Sequence, residues 1–182
     1  MKTKIRELME IPEGVQCTYE KKLFTCRKGE VELQKIINIP KTQVKIENNN
    51  ILFLSNTANK VEKKKISTFL AHLRNMFSGL EEKFVYQLES ANVHFPMTLK
   101  LEGDKLKISN FLGEKISRVA QVLPNVEVEI KGNEITISSH NKESAGQTAA
   151  NFEKATKVKG RDRRIFQDGI FITHKPGDKS RD

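Results

Sequence analysis

Short runs in which apolar and polar residues alternate recur along the chain. A period of two is typical of a β-strand with one buried face, and a glycine-containing or asparagine-rich turn between two such runs predicts an antiparallel hairpin. Three paired runs fit this pattern: residues 43–46 with 51–54, 97–101 with 105–108, and 126–130 with 134–137. Residues 84–88 predict one further strand, and the sequence predicts about four strands before a helix in each half.

Helical spacing follows the last hairpin of each half. In the first half, apolar residues recur at intervals of three and four, and Gly79 is predicted to end the helix; they are Ile66, Phe69, Leu70, Leu73, Met76 and Phe77. In the second half the stripe consists of Ala145, Ala149, Phe152 and Ala155. Its small side chains predict a helix packed closely on its sheet, and both stripes are interpreted as core rather than as ligand pockets.

The two halves of the chain carry matching proline, glycine, asparagine and apolar residues at a constant sequence offset. Six pairs of residues are separated by 84 positions: Pro12 and Pro96, Gly29 and Gly113, Pro40 and Pro124, Val44 and Val128, Asn49 and Asn133, Ile51 and Ile135. A constant offset over proline, glycine and apolar positions indicates a duplicated domain. The predicted fold class is therefore α+β, with two tandem duplicated domains, each an antiparallel sheet arrangement packed with one helix.

The domain boundaries follow from this repeat and from composition. Residues 1–82 are predicted to form the first domain and residues 83–174 the second. Residues 175–182 contain no apolar side chain and predict a flexible tail.

Charge indicates the class of partner. The chain has 32 Lys and Arg against 23 Asp and Glu, a formal net charge of +9. Such an excess favours a polyanionic partner.

A membrane-spanning segment is not expected, since no run approaches the roughly 18–20 apolar residues that a spanning helix needs. The charged N-terminus does not resemble a secretory signal, so a cytoplasmic location is expected.

The basic residues are concentrated in one segment. Residues 154–164 contain six of them and a single acid, a local charge of +5: Lys154, Lys157, Lys159, Arg161, Arg163 and Arg164 against Asp162. Guanidinium and ammonium groups bind phosphate oxygens, so this segment and the adjacent Phe166 are the strongest candidates for RNA contact. A smaller run, Lys60 and Lys63 to Lys65, is a second candidate or a solvated helix face.

The segment 146–151 allows two interpretations. Gly146, Gln147 and Asn151 are not needed by a packed helix, and backbone amides near a helix start attract phosphate. A capping turn followed by close helix packing explains the same residues.

Motifs of catalysis and metal binding are missing from the sequence. It contains no phosphate-binding Gly-rich loop, no Gly-x-Ser-x-Gly, no His-Glu-x-x-His and no dinucleotide fingerprint. Cys17 and Cys26 flank a predicted hairpin and are expected to be reduced thiols rather than a disulfide. No enzyme, cofactor, metal site or small-molecule substrate is predicted.

Four motifs in the second half resemble one known family. They are His94-Phe95-Pro96-Met97, Asn110-Phe111-Leu112-Gly113-Glu114-Lys115, Gly146-Gln147-Thr148-Ala149-Ala150-Asn151 and Arg163-Arg164-Ile165-Phe166-Gln167-Asp168-Gly169-Ile170. In this order they resemble large-subunit ribosomal protein six, in its archaeal and eukaryotic branch, where the eukaryotic member is large-subunit protein nine. The likeness extends from about residue 11 to about residue 172.

The resemblance implies a fold, a partner and a location. The family has two similar α+β domains, no catalytic activity, and a place on the large subunit near the sarcin-ricin loop and the site of the translational GTPases, beside neighbouring ribosomal proteins. Its C-terminal domain makes much of the contact with large-subunit rRNA. The residues expected to bind RNA here are Gly146, Gln147, Asn151, Lys154, Lys157, Lys159, Arg161, Arg163, Arg164 and Phe166.

Two other functions remain open at this point. A free RNA-binding or chaperone-like module could use the same basic segment without entering a ribosome. An enzyme acting on a nucleotide or nucleic acid would need folding to bring a carboxylate pair or histidine cluster into a cleft.

Overall fold

The structure is a computed structural model that describes residues 3–47 and 49–177, apart from the side chains of residues 3, 57 and 58. It separates into two compact units, residues 1–82 and 83–182. The predicted tail begins inside the described part, but residues 178–182 lie outside it. The division into domains with a flexible tail stays a prediction.

The first unit contains six strands and then a helix. The strands are β1 Thr3–Glu10, β2 Gln16–Glu20, β3 Leu23–Lys28, β4 Val31–Ile36, β5 Gln43–Glu47 and β6 Asn50–Ala58, and the helix is α1 Lys60–Glu81. They form two antiparallel three-stranded sheets, in the orders β1-β6-β5 and β2-β3-β4. Phe24 of β3, Phe53 of β6 and Leu73 of α1 are fully buried in one core.

The second unit repeats this order and adds one strand. Its elements are β7 Phe84–Ala91, β8 Thr98–Glu102, β9 Lys105–Ser109, a one-turn 3-10 helix Phe111–Gly113, β10 Arg118–Gln121, β11 Glu127–Lys131, β12 Glu134–Ser139, α2 Lys142–Ala155 and β13 Gly169–His174. One sheet has the order β11-β12-β7-β13 and the other β10-β9-β8. The α+β class with antiparallel sheets is confirmed.

The count of about four strands per half is wrong, because each unit has six strands before its helix. β1 and β4 are edge strands in which at least half of the described side chains are exposed and many are charged, so their apolar signal is weak. β10 has only four residues. The three predicted hairpins are present as β5–β6, β8–β9 and β11–β12; Asn48, in the first turn, lies outside the described residues.

α1 is fixed at its start by reciprocal hydrogen bonds. The Asn59 side chain accepts from the backbone N–H groups of Val61 and Glu62, at 2.7 and 3.3 Å, and the Glu62 carboxylate accepts from the N–H of Asn59 at 2.9 Å. The predicted apolar stripe packs on the core. The prediction that Gly79 ends the helix is wrong: Gly79 is buried inside it, and the helix runs on to Glu81 because Leu80 is also buried.

α2 packs on its sheets through small side chains. Ala145, Ala149 and Phe152 are fully buried, as the sequence predicts, and they face Ile135 and Ile137 of β12 and Ile170 of β13 within one core. The amide oxygen of Asn141 accepts from the N–H groups of Glu143 and Ser144 at 3.0 and 3.5 Å. No helix in the described part of the chain is long and apolar enough to cross a membrane.

The two cysteines lie opposite each other in the β2–β3 hairpin. Their sulfur atoms are 3.4 Å apart and both are thiols. Hydrogen bonding to Cys17 and burial raise the pKa of Cys26, while the hydrogen bond from Cys26 lowers that of Cys17 despite its partial burial.

Candidate nucleic-acid interface

The residues predicted to bind RNA all lie in the second unit, on α2 and on the connecting segment that leads from it to β13, residues 156–168. Gly146, Gln147, Asn151 and Lys154 lie on α2, and the connecting segment carries the rest: Lys157, Lys159, Arg161, Arg163, Arg164 and Phe166. The residues of both predicted segments therefore lie on one helix and on the segment that follows it.

The six cationic side chains of residues 154–164 are exposed, and among the described residues no carboxylate lies within the 4.0 Å of an ion pair with any of them. Four lysines elsewhere in the same unit, Lys83, Lys100, Lys107 and Lys131, do have carboxylate partners. Lys83 lies 2.7 Å from Glu127, and Lys131 lies 3.2 Å from Glu129. A concentration of exposed cations without direct ion-pair partners in the described part of the chain is the arrangement that a polyanion neutralises.

Asp162, the single acid of the basic segment, stabilises a turn by accepting hydrogen bonds from the residues that follow it. Its carboxylate accepts from the N–H of Arg164 at 2.9 Å, and its carbonyl oxygen accepts from the N–H groups of Ile165 and Phe166 at 3.2 and 2.9 Å. This is the turn that aspartate side chains favour. Asp162 thereby holds Arg163 and Arg164 at the exposed corner of the turn.

A groove of about 920 Å³ opens between the end of α2, the connecting segment and the start of β13. Its cationic lining residues are Lys154, Lys157 and Arg163. Apolar side chains form much of the remaining wall: Ala91, Val93, Ala150, Val158, Ile170 and Phe171. Lys159 faces a separate, shallower depression with Lys154 and Arg118.

Phe166 is held between polar partners. The His94 imidazole stacks on its ring with centroids 4.9 Å apart, and the guanidinium carbon of Arg161 lies 4.8 Å from the ring centroid. The structure thus gives Phe166 a bracing role within the protein, and its contact with RNA stays a prediction.

His94 is fixed in turn by Asp168, which is 1 % exposed. The imidazole Nδ1 donates to one carboxylate oxygen at 2.6 Å, and the other oxygen accepts from the N–H groups of Val93 and His94, both at 2.9 Å. Burial alone would raise the pKa of Asp168, but the hydrogen bonds from the His94 backbone, the His94 ring and the Val93 backbone outweigh it and lower the pKa below its usual value. The ionised carboxylate ties the β7 end to the connecting segment.

Gln147 and Asn151 connect α2 to the neighbouring sheet. The Gln147 amide donates to the Asn151 side-chain oxygen at 2.9 Å, and the Asn151 amide donates to the carbonyl oxygen of Gln121 at 3.0 Å. A structural role therefore explains these two polar residues, and their contact with RNA stays a prediction.

Gly146 is not at the start of the helix, so the helix-start basis for its phosphate contact is wrong. α2 begins at Lys142, and Gly146 lies in its interior against Tyr86 of β7. A Cβ atom at this position would lie 2.8 Å from the Tyr86 hydroxyl oxygen and 3.2 Å from the ring carbon that carries it. Glycine lets the helix lie close to Tyr86 at this position, where a larger residue would force the Tyr86 side chain to shift.

We expect Gly146→Ala and Tyr86→Phe to be coupled. In a free helix interior, Gly→Ala stabilises by about 1 kcal/mol. Here the steric overlap with Tyr86 cancels that gain, so Gly146→Ala alone should be neutral or destabilising, and it should become more favourable by about 1 kcal/mol in a Tyr86→Phe background. Urea unfolding followed by circular dichroism measures both; equal effects in the two backgrounds would contradict the proposed overlap.

Arg118 is a central residue of this region that sequence reasoning missed. Its guanidinium donates to both carboxylate oxygens of Glu114, at 2.8 and 2.6 Å, and to the carbonyl oxygens of Ala155 and Lys157, at 2.8 and 3.2 Å. The guanidinium carbon also lies 4.2 Å from the centroid of Phe111. The hydrogen bond and charge of Arg118, opposed by partial burial, lower the pKa of Glu114. Its backbone partners are 37 and 39 residues away, so no local pattern indicates this role.

The second candidate run lies in the first unit. Lys60, Lys63, Lys64 and Lys65 are exposed in the first turns of α1. Their contact with RNA stays a prediction.

Comparison with known proteins identifies relatives over nearly the whole chain. The profile of the family described as Ribosomal protein L6 matches residues 95–169. The chain is 42 % identical over 173 residues to the large ribosomal subunit protein uL6 of Methanococcus vannielii, covering 95 % of each chain. It is 41 % identical over 171 residues to uL6 of Methanobrevibacter smithii, covering 94 % of this chain and 96 % of that one. For uL6 of Methanosarcina mazei the identity is 39 % over 175 residues, with 96 % and 99 % covered.

Proposed function

The chain belongs to the ribosomal protein L6 family, and from that premise we propose that it is a structural constituent of the large ribosomal subunit that binds large-subunit rRNA. The observation that carries the RNA-binding part is the group of six exposed cations at residues 154–164 that have no carboxylate partner among the described residues. It works in the cytoplasm and supports translation.

Binding follows from charge and shape. Lys154, Lys157 and Arg163 line one groove, and Asp162 holds Arg163 and Arg164 outward on a turn. Contacts to phosphates release condensed counterions, so affinity falls as salt rises. Because the backbone of this surface is fixed by Asp168 and Arg118, it recognises the shape of folded RNA more than base sequence.

The position on the subunit and the lack of catalysis are inferred from the family resemblance. The protein lies near the sarcin-ricin loop and the site where translational GTPases bind, next to other large-subunit proteins. It has no catalytic activity of its own.

The proposal is tested by sedimentation of native lysate through sucrose gradients at rising salt, with detection of this chain. Migration with the large subunit that resists moderate salt is expected of a stoichiometric component. A position at the top of the gradient at every salt concentration would refute the ribosomal assignment and favour a free RNA-binding module.

We expect the double variant Arg163→Ala, Arg164→Ala to flatten the salt dependence of rRNA binding. Each lost phosphate contact reduces the slope of log affinity against log salt by about 0.7 to 0.9, so two lost contacts reduce it by about 1.4 to 1.8. The measurement is filter binding of purified protein to large-subunit rRNA between low and moderate salt.

Lys100→Ala with Lys131→Ala is the matched control for this measurement. It removes the same charge from the same unit, but both lysines are exposed and already lie near carboxylates, at 3.4 Å from Glu102 and 3.2 Å from Glu129. Its slope should equal that of the unaltered protein. Equal slopes for both double variants would remove the 154–164 surface as the RNA contact.

A further inference from the structure

The groove beside α2 has an aromatic side chain in its wall that is partly exposed. Phe171 on β13 lines the groove and is 39 % exposed, and none of the ring contacts found in the described part of the chain involves it. Phe166, in contrast, already contacts an imidazole and a guanidinium. Phe171 is therefore the aromatic ring in this groove with a surface left for a ligand.

The backbone at the start of β13 positions the Phe171 ring. A Cβ atom at Gly169 would lie 3.1 Å from the ring edge, so glycine leaves room for the Phe171 ring to pack over the start of β13. Ile170, between them, is fully buried in the core. The ring is thus placed by a rigid strand rather than by a loose loop.

The size and charge of the groove select the class of ligand. Its volume of about 920 Å³ is within the range of about 300–1,000 Å³ that ligand pockets occupy. Lys154, Lys157 and Arg163 border the apolar wall, so an apolar planar group with negative charge attached is the complementary ligand. Glu153 also lines the groove and disfavours phosphate on its own side.

The buried polar side chains inside the groove, Thr156 and Asp168, already have hydrogen-bond partners. The Thr156 hydroxyl accepts from the N–H of Ile170 at 2.9 Å and lies 3.3 Å from the carbonyl oxygens of Phe152 and Glu153. Both carboxylate oxygens of Asp168 are also in use. The groove therefore offers mainly stacking and charge, and the exposed Gln167 amide is the lining side chain that could still hydrogen-bond a base edge.

We propose that this groove receives one unpaired nucleobase of the bound RNA, which stacks on Phe171 while Lys154, Lys157 and Arg163 bind the flanking phosphates. The inference rests on the proposed function, because the base belongs to the same rRNA. It adds a contact that is not electrostatic, whose contribution does not decline with salt. Selectivity among the four bases is weak, since every base has a face that stacks on an aromatic ring.

The test compares two substitutions of similar size. Phe171→Leu keeps an apolar side chain and removes the aromatic face; Phe171→Tyr keeps the face. Binding of the full chain to large-subunit rRNA should weaken about tenfold for Phe171→Leu at every salt concentration, with an unchanged salt slope, and should change less than about twofold for Phe171→Tyr. Circular dichroism of each variant checks that the fold is retained.

A direct measurement uses AMP and ribose 5-phosphate as probes of the unaltered protein. Ring-current shifts of the Phe171 aromatic resonances in NMR titrations are expected with AMP and absent with ribose 5-phosphate, which has the phosphate but no base.

Failure of this inference is distinguishable from failure of the proposed function. If Phe171→Leu binds rRNA like the unaltered protein, and AMP shifts no Phe171 resonance, the base site is refuted while RNA binding stands; the groove would then suit an apolar side chain of a neighbouring protein. If the unaltered protein itself does not bind rRNA, the proposed function fails with it.

Discussion

Replacing Asp168 by Ala is expected to destabilise the second unit by about 3 kcal/mol. Three donors lose their acceptor at once: the backbone N–H groups of Val93 and His94 and the His94 imidazole. Because the site of the carboxylate is 1 % exposed, water cannot readily replace it, and buried donors without an acceptor are costly. His94 would also lose its orientation against Phe166.

Tyrosine fluorescence can isolate the second unit in this experiment. The chain has no Trp and two Tyr, of which Tyr19 lies in residues 1–82 and Tyr86 in residues 83–182. Urea unfolding in a Tyr19→Phe background therefore follows the second unit alone. A loss below about 0.5 kcal/mol for Asp168→Ala would contradict the role given to the carboxylate.

The same carboxylate gives stability a defined pH dependence. Its pKa is lower in the folded state than its ordinary value of 3.8, so the unfolded chain takes up a proton first as pH falls. The contribution of Asp168 is fully present above about pH 4 and is lost as pH falls through the lowered pKa. Asp168→Asn, which cannot ionise, should be less stable near neutral pH and should lose less additional stability between pH 4 and 2. An identical acid response in both proteins would refute this linkage.

Replacing Arg118 by Ala is expected to cost about 2 kcal/mol and to weaken RNA binding indirectly. The substitution removes both hydrogen bonds to Glu114, the two to the carbonyl oxygens of Ala155 and Lys157, and the contact with Phe111. Bidentate guanidinium pairs and cationic partners of a helix C-terminus stabilise by more than ordinary surface ion pairs, although the Arg118 side chain is still 24 % exposed. The end of α2 and the start of the connecting segment should become mobile.

Arg118→Lys is the control, because it keeps the charge and loses the forked geometry. We expect it to recover less than half of the lost stability. Hydrogen exchange of the amides of residues 155–159 should rise in both variants, more strongly in Arg118→Ala. Unchanged exchange with reduced RNA affinity would mean that Arg118 binds RNA itself rather than fixing the helix end.

Sequence reasoning identified the helices, most hairpins and the basic surface for a common reason. Each is encoded by neighbours in sequence: a period of two, a period of three to four, or a local excess of Lys and Arg. The constant offset of 84 residues also indicated the repeat, and the two units do share six strands and a helix in the same order. Edge strands such as β1 and β4 were missed because their exposed positions weaken the alternation.

The roles of several single residues depend on packing against elements that are distant in sequence. Gly79 continues its helix because Leu80 beyond it is buried, and Gly146 accommodates the Tyr86 hydroxyl that approaches it from another element. Gln147 and Asn151 have partners on the protein, which a one-dimensional pattern does not indicate.

The sequence alone therefore determined the α+β class, the duplication, the family resemblance and the location of the positive charge, since all four are local or periodic properties. Only the tertiary structure decided which cations lack partners, that Asp168 fixes His94 across 74 residues, that Arg118 stabilises the end of α2, and that Phe171 keeps an exposed ring. These depend on distances between residues far apart in the chain, which folding sets and sequence spacing does not.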